Sequence, residues 1–485
     1  MYSPYNACMS ITTLPAIYQI LMNIDSLIIF KVVLQLIIAL FPVAVFSIAR
    51  KFGVNTSVAF ILALMCVFQY QYILKLPTHI RTGIGLLFFA LLMITLTHKA
   101  LPELPKRFLT LFFMLALVLS HYSTTYLALI FFIIVVIVQT ILTQRQKFLT
   151  MTAFLSTVLV LWYALIVEAA YKSGIDAIKK TIINLPKLFE EEVRGESALK
   201  VFGYGVETIS QLIKVVTYDL FYGLVVLGIL AMILKKVLRK ESFDLYDILK
   251  TSMLIVFISF VTVPFATKVY SIERVSLQML TILIVGIYYA IRILPIIKRH
   301  EKILMIVLLG LLVFSGTGLN YELFGVSKLS PAYLSEESAY RHFMYIYDGE
   351  ITGGKWLDKY GDHEKVVYGD FVIDSRILLS MLSRDSFIVG IIGNETKKFW
   401  QVESYRYFNE RGAMESDYLY LRFFNIKYGK IYDGQAVHYF NGTVNEEKDI
   451  PININSFDLV KVYDNGFSQV YVFTERLEPI EPLGG

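Results

Sequence analysis

The chain has 485 residues, of which 56% are hydrophobic and only 18% charged, and its formal net charge is +5. A soluble protein of this length and composition would expose far too much apolar surface, so the composition excludes an ordinary soluble globular protein. The apolar residues also cluster in stretches long enough to cross a hydrocarbon layer of about 30 Å as helices. The sequence therefore predicts a polytopic α-helical membrane protein.

About ten transmembrane helices are predicted in residues 1–320, because helices satisfy their backbone amides in lipid without a partner strand. They lie at about 27–48, 56–74, 83–98, 108–120, 125–143, 148–170, 216–234, 249–267, 275–294 and 303–319.

Basic residues mark alternate loops between these helices, beginning with Arg50 and Lys51 and ending with Lys298, Arg299 and Lys302. This bias predicts that the marked loops are cytoplasmic and that both termini lie outside the plasma membrane. It also accounts for the net charge, so no nucleic-acid partner is expected. An external amino terminus without a signal peptide implies either that a short uncharged tail crosses the membrane unaided or, as we favour, that a further segment precedes residue 1.

A predicted external loop at about 171–215 interrupts the membrane domain. Ile178, Ile182 and Leu185 follow one another there at helical spacing. This pattern predicts one or two amphipathic helices lying along the outer membrane surface, or a lid that packs on the helical bundle.

Residues 321–485 have the composition of a soluble domain, and we expect an extracytoplasmic α/β domain there. "EKVVYGDFVIDSRILLSML" predicts a strand followed by a helix, and "DSFIVGII", "DLVKVYDNG" and "SQVYVF" predict strands. A turn is predicted at Asp464-Asn465-Gly466. Two glycosylation sequons begin at Asn394 and Asn441.

Several common functional motifs are absent from the sequence. There is no phosphate-binding P-loop, no zinc-ligand spacing and no Gly-x-Ser-x-Gly turn. The two cysteines, Cys8 and Cys66, lie far apart and Cys66 falls inside a predicted span, while the exported domain has none, so no disulfide framework supports that domain. ATP-driven transport by this chain and most soluble hydrolase chemistry are therefore excluded.

A polar stretch, "SHYSTT", interrupts a long apolar run at residues 120–125. No charged residue occurs between Arg107 and Arg145, and one straight helix of that length would exceed the bilayer thickness. We therefore expect a hairpin whose turn contains His121 and Tyr122. Because the first arm has only about 13 residues, the turn should lie in a recess below the outer surface.

Further polar residues are predicted at the same membrane level, namely His79, Arg81, Glu168, Asp219, Lys268, Glu273, Arg274 and Gln278. Ionisable groups at this depth usually face a cavity or a partner. Arg presents a planar fork to phosphate oxygens, and His can donate a hydrogen bond. The cluster is suited to a lipid phosphate or pyrophosphate. Two plainer interpretations stay open: His121 as a cap of the hairpin, and Arg274 as an interfacial anchor paired with Glu273.

Four segments carry a resemblance: "YNACMSITTLPAIYQIL", "LSHYSTTYLALI", "SIERVSLQML" and "KVYDNGFSQVY". They resemble a family of large archaeal membrane proteins of unknown function, which itself resembles glycosyltransferases of the C-type fold. Those enzymes take sugars from polyprenyl-phosphate carriers. The resemblance implies that Arg274, with Glu273, meets the lipid phosphate. It also implies an acidic residue in the first external loop, acting as a base or as a ligand of a divalent metal, and that residue has no counterpart here.

The leading hypothesis is an outer-face glycosyltransferase, or a remnant of one, that moves a sugar from a polyprenyl-phosphate donor to a cell-surface acceptor. Its substrate-binding candidates are His79, Arg81, His121, Tyr122, Glu273 and Arg274, and no catalytic residue or resident cofactor is assigned. One alternative is a non-catalytic membrane scaffold whose exported α/β domain is the working part. The other is a lipid or glycan transporter, which would require polar residues through the membrane midplane.

Overall fold

A computed structural model gives the conformation of most of the chain. It describes residues 8–144, 146–166, 168–187, 190, 194–195, 199, 203–270, 272–293, 298–326, 345–369, 401–404, 415–428, 430–431, 450–451 and 458–475. The chain divides into two compact units, Met1–Phe324 and Gly325–Gly485.

Every regular secondary-structure element among the described residues of the first unit is a helix. Its helices are α1 (Thr13–Met22), α2 (Ser26–Lys51), α3 (Thr56–Val67), α4 (Ile80–Thr97), α5 (Glu103–Ser120), α6 (Tyr122–Thr143), α7 (Leu149–Val160), α8 (Glu168–Ile183), α9 (Ile209–Arg239), α10 (Leu245–Thr262), α11 (Ala266–Val269), α12 (Ile272–Leu283), α13 (Gly286–Ile291), α14 (Glu301–Gly316) and α15 (Leu319–Leu323).

Five described helices are long and apolar enough to cross a membrane. They are α2, α4, α6, α9 and α10. A sixth crossing is obtained if α3 and the segment Gln71–Thr78, which bend by 55° relative to each other, count as one span. Shorter apolar helices occur at Thr13–Met22, Leu149–Leu165 and Arg274–Leu283. The protein is therefore a membrane protein with several spans, while the number ten stays a prediction.

The bend after α3 is stabilised by contacts of the backbone groups at the point where the helix is interrupted. The backbone N–H of Tyr70 donates to the Tyr218 hydroxyl at 2.8 Å. The carbonyl of Phe68 packs so closely on Gly316 that a Cβ there would clash with it. Beyond the bend, the Gln71–Thr78 segment consists of one π-helical stretch, Gln71–Lys75, and one 3-10 turn, Leu76–Thr78.

The predicted hairpin around His121 is present in the structure. His121 has extended backbone between α5 and α6. Phe113 of α5 packs on Phe88 of α4, and Phe131 of α6 packs on Phe89 of α4. Both arms of the hairpin therefore lie beside α4. The first arm is longer than predicted, because α5 begins at Glu103. Its first turn is polar, and the predicted apolar stretch begins only after that turn.

The predicted amphipathic loop begins as a helix. α8 covers Glu168–Ile183, and a 3-10 turn follows at Leu185–Lys187. Ile178, Ile182 and Leu185 are each at least half exposed, so the described residues leave much of this apolar face uncovered. Its position on a membrane surface stays a prediction.

The second unit contains a small mixed sheet. Its strands are β1 (Val366–Gly369), β2 (Gln401–Ser404), β3 (Tyr418–Arg422), β6 (Leu459–Asp464) and β7 (Ser468–Phe473), in the order β2-β1-β3-β7-β6. The first three strands run parallel, while β7 pairs antiparallel with β3 and β6. Strands β4 (Lys430–Ile431) and β5 (Ile450–Pro451) form a separate pair. Helix α16 (Asp348–Tyr360) packs on β7, and α17 (Phe423–Tyr428) follows β3.

Three sequence predictions in this unit coincide with strands β1, β6 and β7. The turn between β6 and β7 uses Gly466 at a φ of 80°, which a glycine adopts without strain. The Lys461 ammonium beside Asp464 holds the pKa of that carboxyl below its ordinary value. The predicted strand at "DSFIVGII" and both sequons lie outside the described residues. A full α/β domain stays a prediction.

Candidate functional site

Four predicted site residues come together where several helices end. His79 follows the Gln71–Thr78 segment, Arg81 lies in the first turn of α4, His121 joins α5 to α6, and Arg274 lies in the first turn of α12. We call this group of four residues the His–Arg cluster.

The closest contact in the cluster joins Arg274 to His79. Arg274 Nη2 lies 2.8 Å from His79 Nε2. Because a guanidinium can only donate, Nε2 must accept, and the ring proton of a neutral His79 is then on Nδ1. Nδ1 lies 2.8 Å from the Lys75 carbonyl oxygen, which accepts that proton. His79 therefore orients Arg274 without neutralising it.

His121 is held by the opposite ring nitrogen. The backbone N–H of Thr124 donates to His121 Nδ1 at 3.3 Å, and the Thr124 hydroxyl lies 2.7 Å from the same atom. His121 thus caps the start of α6, as one of the plainer interpretations of the sequence expected. Since Nδ1 accepts, a neutral ring carries its proton on Nε2, which lies 3.5 Å from the Thr82 hydroxyl.

Capping does not separate His121 from the cluster. The side chain is fully buried, and Arg81, Arg274 and His79 all lie close enough to act electrostatically on it. Gly85 allows His121 to lie close to α4, because a Cβ on residue 85 would be only 3.1 Å from His121 Cβ. His121 therefore caps the start of α6 and also belongs to the cluster.

The remaining predicted site residues differ in what the structure shows. Tyr122 packs on His121 with ring centroids 5.3 Å apart, and it also contacts Tyr163. The side chain of Glu273 lies outside the described residues. In the described part of the chain, no carboxylate forms an ion pair with Arg274.

The first described residues cover one side of the hairpin end. The Met9 N–H donates to the Leu119 carbonyl at 2.8 Å, and the Ser10 hydroxyl donates to the Ser120 carbonyl at 2.9 Å. Cys8 is buried there, and it is close enough to Arg81 for the guanidinium charge to act on its thiol. This segment was not predicted to contribute to the site, because its own residues carry no functional pattern.

Several neighbours of the cluster were also missed in the sequence. Lys75 is close enough to His79 for its charge to act on the imidazole. Arg274 and Arg81 are close enough to Tyr270 for their charges to act on its hydroxyl. The ammonium groups of Lys75 and Lys214 lie 5.2 and 4.0 Å from the ring centroid of Tyr70. A lysine near the end of a span resembles any interfacial anchor, and only the bend after α3 brings Lys75 to this group.

A family model described as "Predicted membrane protein (DUF2206)" matches residues 106–471. This match covers more than half of the chain. The chain belongs to the DUF2206 family. No curated protein matches it. Family membership agrees with the apolar helices in identifying a membrane protein, and the description assigns no activity.

The divalent metal implied by the glycosyltransferase resemblance does not fit the residues of the cluster. Divalent cations of this kind take oxygen ligands, above all carboxylates, whereas Arg81, Arg274 and Lys75 are cations and both ring nitrogens of His79 already have hydrogen-bond partners. Among the described residues, no three His, Cys, Asp or Glu side chains are grouped as metal ligands would be. The chemistry of the cluster is that of an anion site: two half-buried guanidinium groups, of which that of Arg274 is oriented by the His79 imidazole.

Proposed function

We propose that this DUF2206 protein binds a polyprenyl-phosphate-linked sugar at the outer face of the plasma membrane and transfers the sugar to a cell-surface acceptor. The His–Arg cluster would hold the phosphate. The observation that carries the proposal is the contact between Arg274 and His79, which fixes a guanidinium at the end of the spans without a described carboxylate to neutralise it.

The level of the cluster in the membrane supports a lipid headgroup as its ligand. Arg81 and Arg274 lie in the first turns of apolar helices, where a long side chain reaches the headgroup region. The loop charges favour an outside position for this end and for both termini. We retain about ten spans and an extracytoplasmic α/β domain as parts of the same proposal.

The cluster would contribute to transfer by stabilising the leaving phosphate. As the bond between sugar and phosphate breaks, negative charge grows on the phosphate oxygens. Guanidinium groups already oriented in a site of low polarity stabilise such charge without reorganisation. The acceptor hydroxyl also needs a base, and no residue of this chain is assigned to that role.

The test replaces Arg274 by Lys, which keeps the charge but removes the planar fork. Loss of one charge-assisted hydrogen bond costs about 1.5–3 kcal/mol, so binding of a short-chain polyprenyl phosphate should weaken roughly tenfold to hundredfold. Arg292→Lys is the matched control, because Arg292 is paired with Glu301 at 2.8 Å and lies about five turns along the chain from Arg274. Binding should be measured on the purified, lipid-embedded protein.

An interfacial anchor would behave differently, since lysine also extends to the headgroups and keeps its charge. Equal affinities of the wild type, Arg274→Lys and Arg292→Lys would refute a phosphate site at Arg274. A wild-type protein that does not bind the lipid phosphate at all would refute the proposed function.

A further inference from the structure

Two buried glutamines lie one helical turn inward from the basic residues. Gln71 begins the π-helical stretch that ends at Lys75, and Gln278 follows Arg274 by four residues on α12. The stretch Gln71–Lys75 packs against α12. The Arg274–His79 contact joins the first turn of α12 to the residue that follows the Gln71–Thr78 segment, so both glutamines lie on the inner side of this contact along their own elements.

Both amide groups have unused hydrogen-bonding capacity. Gln71 is only 3% exposed, and neither its Nε2 nor its Oε1 has a hydrogen-bond partner among the described residues. Gln278 is fully buried and donates from Nε2 to the Thr124 carbonyl at 3.1 Å, but its Oε1 has no partner in that part of the chain. A buried polar atom left unpaired destabilises a fold, so such atoms in a native protein require an explanation.

The nearby Gln69 shows what a satisfied glutamine looks like in this region. Its Nε2 donates to the Met65 carbonyl at 3.1 Å, and its Oε1 accepts from the Tyr222 hydroxyl at 3.0 Å. The fold can therefore pair a buried amide on this bent segment. Two residues further on, it leaves Gln71 unpaired.

The chemistry of these groups restricts what can pair with them. An amide carries no charge and offers both donors and an acceptor. A phosphate accepts only, so it would leave the two Oε1 atoms unsatisfied. Hydroxyl groups both donate and accept, and they can pair with either end of an amide. An apolar lipid chain satisfies neither.

We propose that Gln71 and Gln278 form a subsite for the hydroxyl groups of an uncharged sugar, directly inward of the phosphate held by the His–Arg cluster. This inference rests on the proposed function and specifies its substrate: a neutral, hydroxyl-rich sugar on the lipid phosphate, and not an acidic one. A sugar carboxylate at this depth would have to leave water for two uncharged amides.

The experiment compares three probes on the purified, lipid-embedded protein: a short-chain polyprenyl phosphate, the same lipid carrying one neutral hexose, and the same lipid carrying a hexuronic acid. The hexose should increase the affinity of the wild type about threefold to tenfold, as expected for one neutral hydrogen bond. Gln71→Met and Gln278→Met should lose this increase and still bind the bare lipid phosphate. The same lipid carrying a hexuronic acid should show no increase even in the wild type.

Gln139→Met is the matched control. Gln139 is also buried, with an Oε1 that lacks a partner in the described part of the chain, but it lies near the far end of α6. It should keep the full hexose effect. Because methionine removes an unpaired amide and keeps the length of the side chain, Gln71→Met should not lower the thermal unfolding temperature of the ligand-free protein.

The outcomes separate this inference from the function on which it rests. If the wild type binds the bare lipid phosphate but the hexose adds nothing, or if both variants keep the increase, the amide subsite is refuted and the phosphate site stands. If the bare lipid phosphate does not bind, the proposed function fails. Binding of a free methyl hexoside, weakened by Gln71→Met but not by Gln139→Met, would then still support the amide subsite.

Discussion

Glu350 and Arg422 form an ion pair from which water is excluded, since their side chains are 0% and 1% exposed. The Glu350 carboxylate also accepts from the backbone N–H groups of Tyr347 and Phe423, both at 3.1 Å. Glu350→Gln would leave the buried guanidinium without a countercharge, at a cost of about 3–5 kcal/mol. Hydrogen exchange of the β3 and β7 amides in the intact protein should then accelerate about a hundredfold or more.

The exposed pair of Lys461 and Asp464, 2.8 Å apart, provides the control. Asp464→Asn should change exchange very little, because exposed ion pairs contribute about 0–1 kcal/mol. Similar, small effects of Glu350→Gln and Asp464→Asn would show that the buried pair does not hold the second unit together.

Sequence and structure agree best on individual residues whose chemistry is conspicuous in an apolar chain. Charge and imidazole are rare at membrane depth, which predicts a group formed by His79, Arg81, His121 and Arg274. The structure brings these four residues close together, while their role in binding stays a prediction. The glutamines differ. In the sequence, Gln278 is only one of the polar residues of that level and Gln71 carries no functional pattern, because a single amide within an apolar helix resembles any tolerated polar residue.

The crossing of α9 and α13 depends on two glycines. A Cβ on Gly228 would clash with the backbone carbonyl of Gly286, and a Cβ on Gly286 would clash with that of Val225. Small residues allow such close approach of membrane helices. Gly228→Ala must push the helices apart, and we expect a loss of about 1–3 kcal/mol, measured as a lower thermal unfolding temperature of the purified protein.

Gly223, on the same helix, is the matched control, because a Cβ there would meet nothing within 4 Å. Alanine stabilises a helix interior relative to glycine by roughly 0.5–1 kcal/mol, so Gly223→Ala should leave the unfolding temperature unchanged or raise it. If both substitutions act alike, the close crossing is not what the glycine at 228 provides.

At the level of elements, apolar length predicted where helices occur but not how they are interrupted. No recognisable sequence pattern marks the three π-helical stretches, which are Ile29–Val33, Gln71–Lys75 and Leu161–Ile166. The 55° bend after α3 depends on Tyr218 and Gly316, which are distant in sequence. The hairpin at His121 was predictable because the run was too long for one helix. The turn at Gly466 was predictable because Asp-Asn-Gly specifies it locally.

The orientation of the whole molecule decides whether the His–Arg cluster can meet an outer lipid headgroup. Single cysteines report it, since both native cysteines are buried and free. Ser120 and Thr124 mark the hairpin but are themselves buried, so exposed neighbours are better positions. Thr78 lies beside His79, and Lys99 follows the opposite end of α4.

We expect Thr78→Cys to react with a membrane-impermeant maleimide applied to intact cells, because the loop charges assign this end to the outside. Lys99→Cys should react only after the membrane is opened, and the wild type should not react in either case. The reverse pattern, with Lys99→Cys labelled first, would place the cluster on the cytoplasmic side. An acceptor at the cell surface would then be out of reach, whatever the affinity of Arg274 for a lipid phosphate.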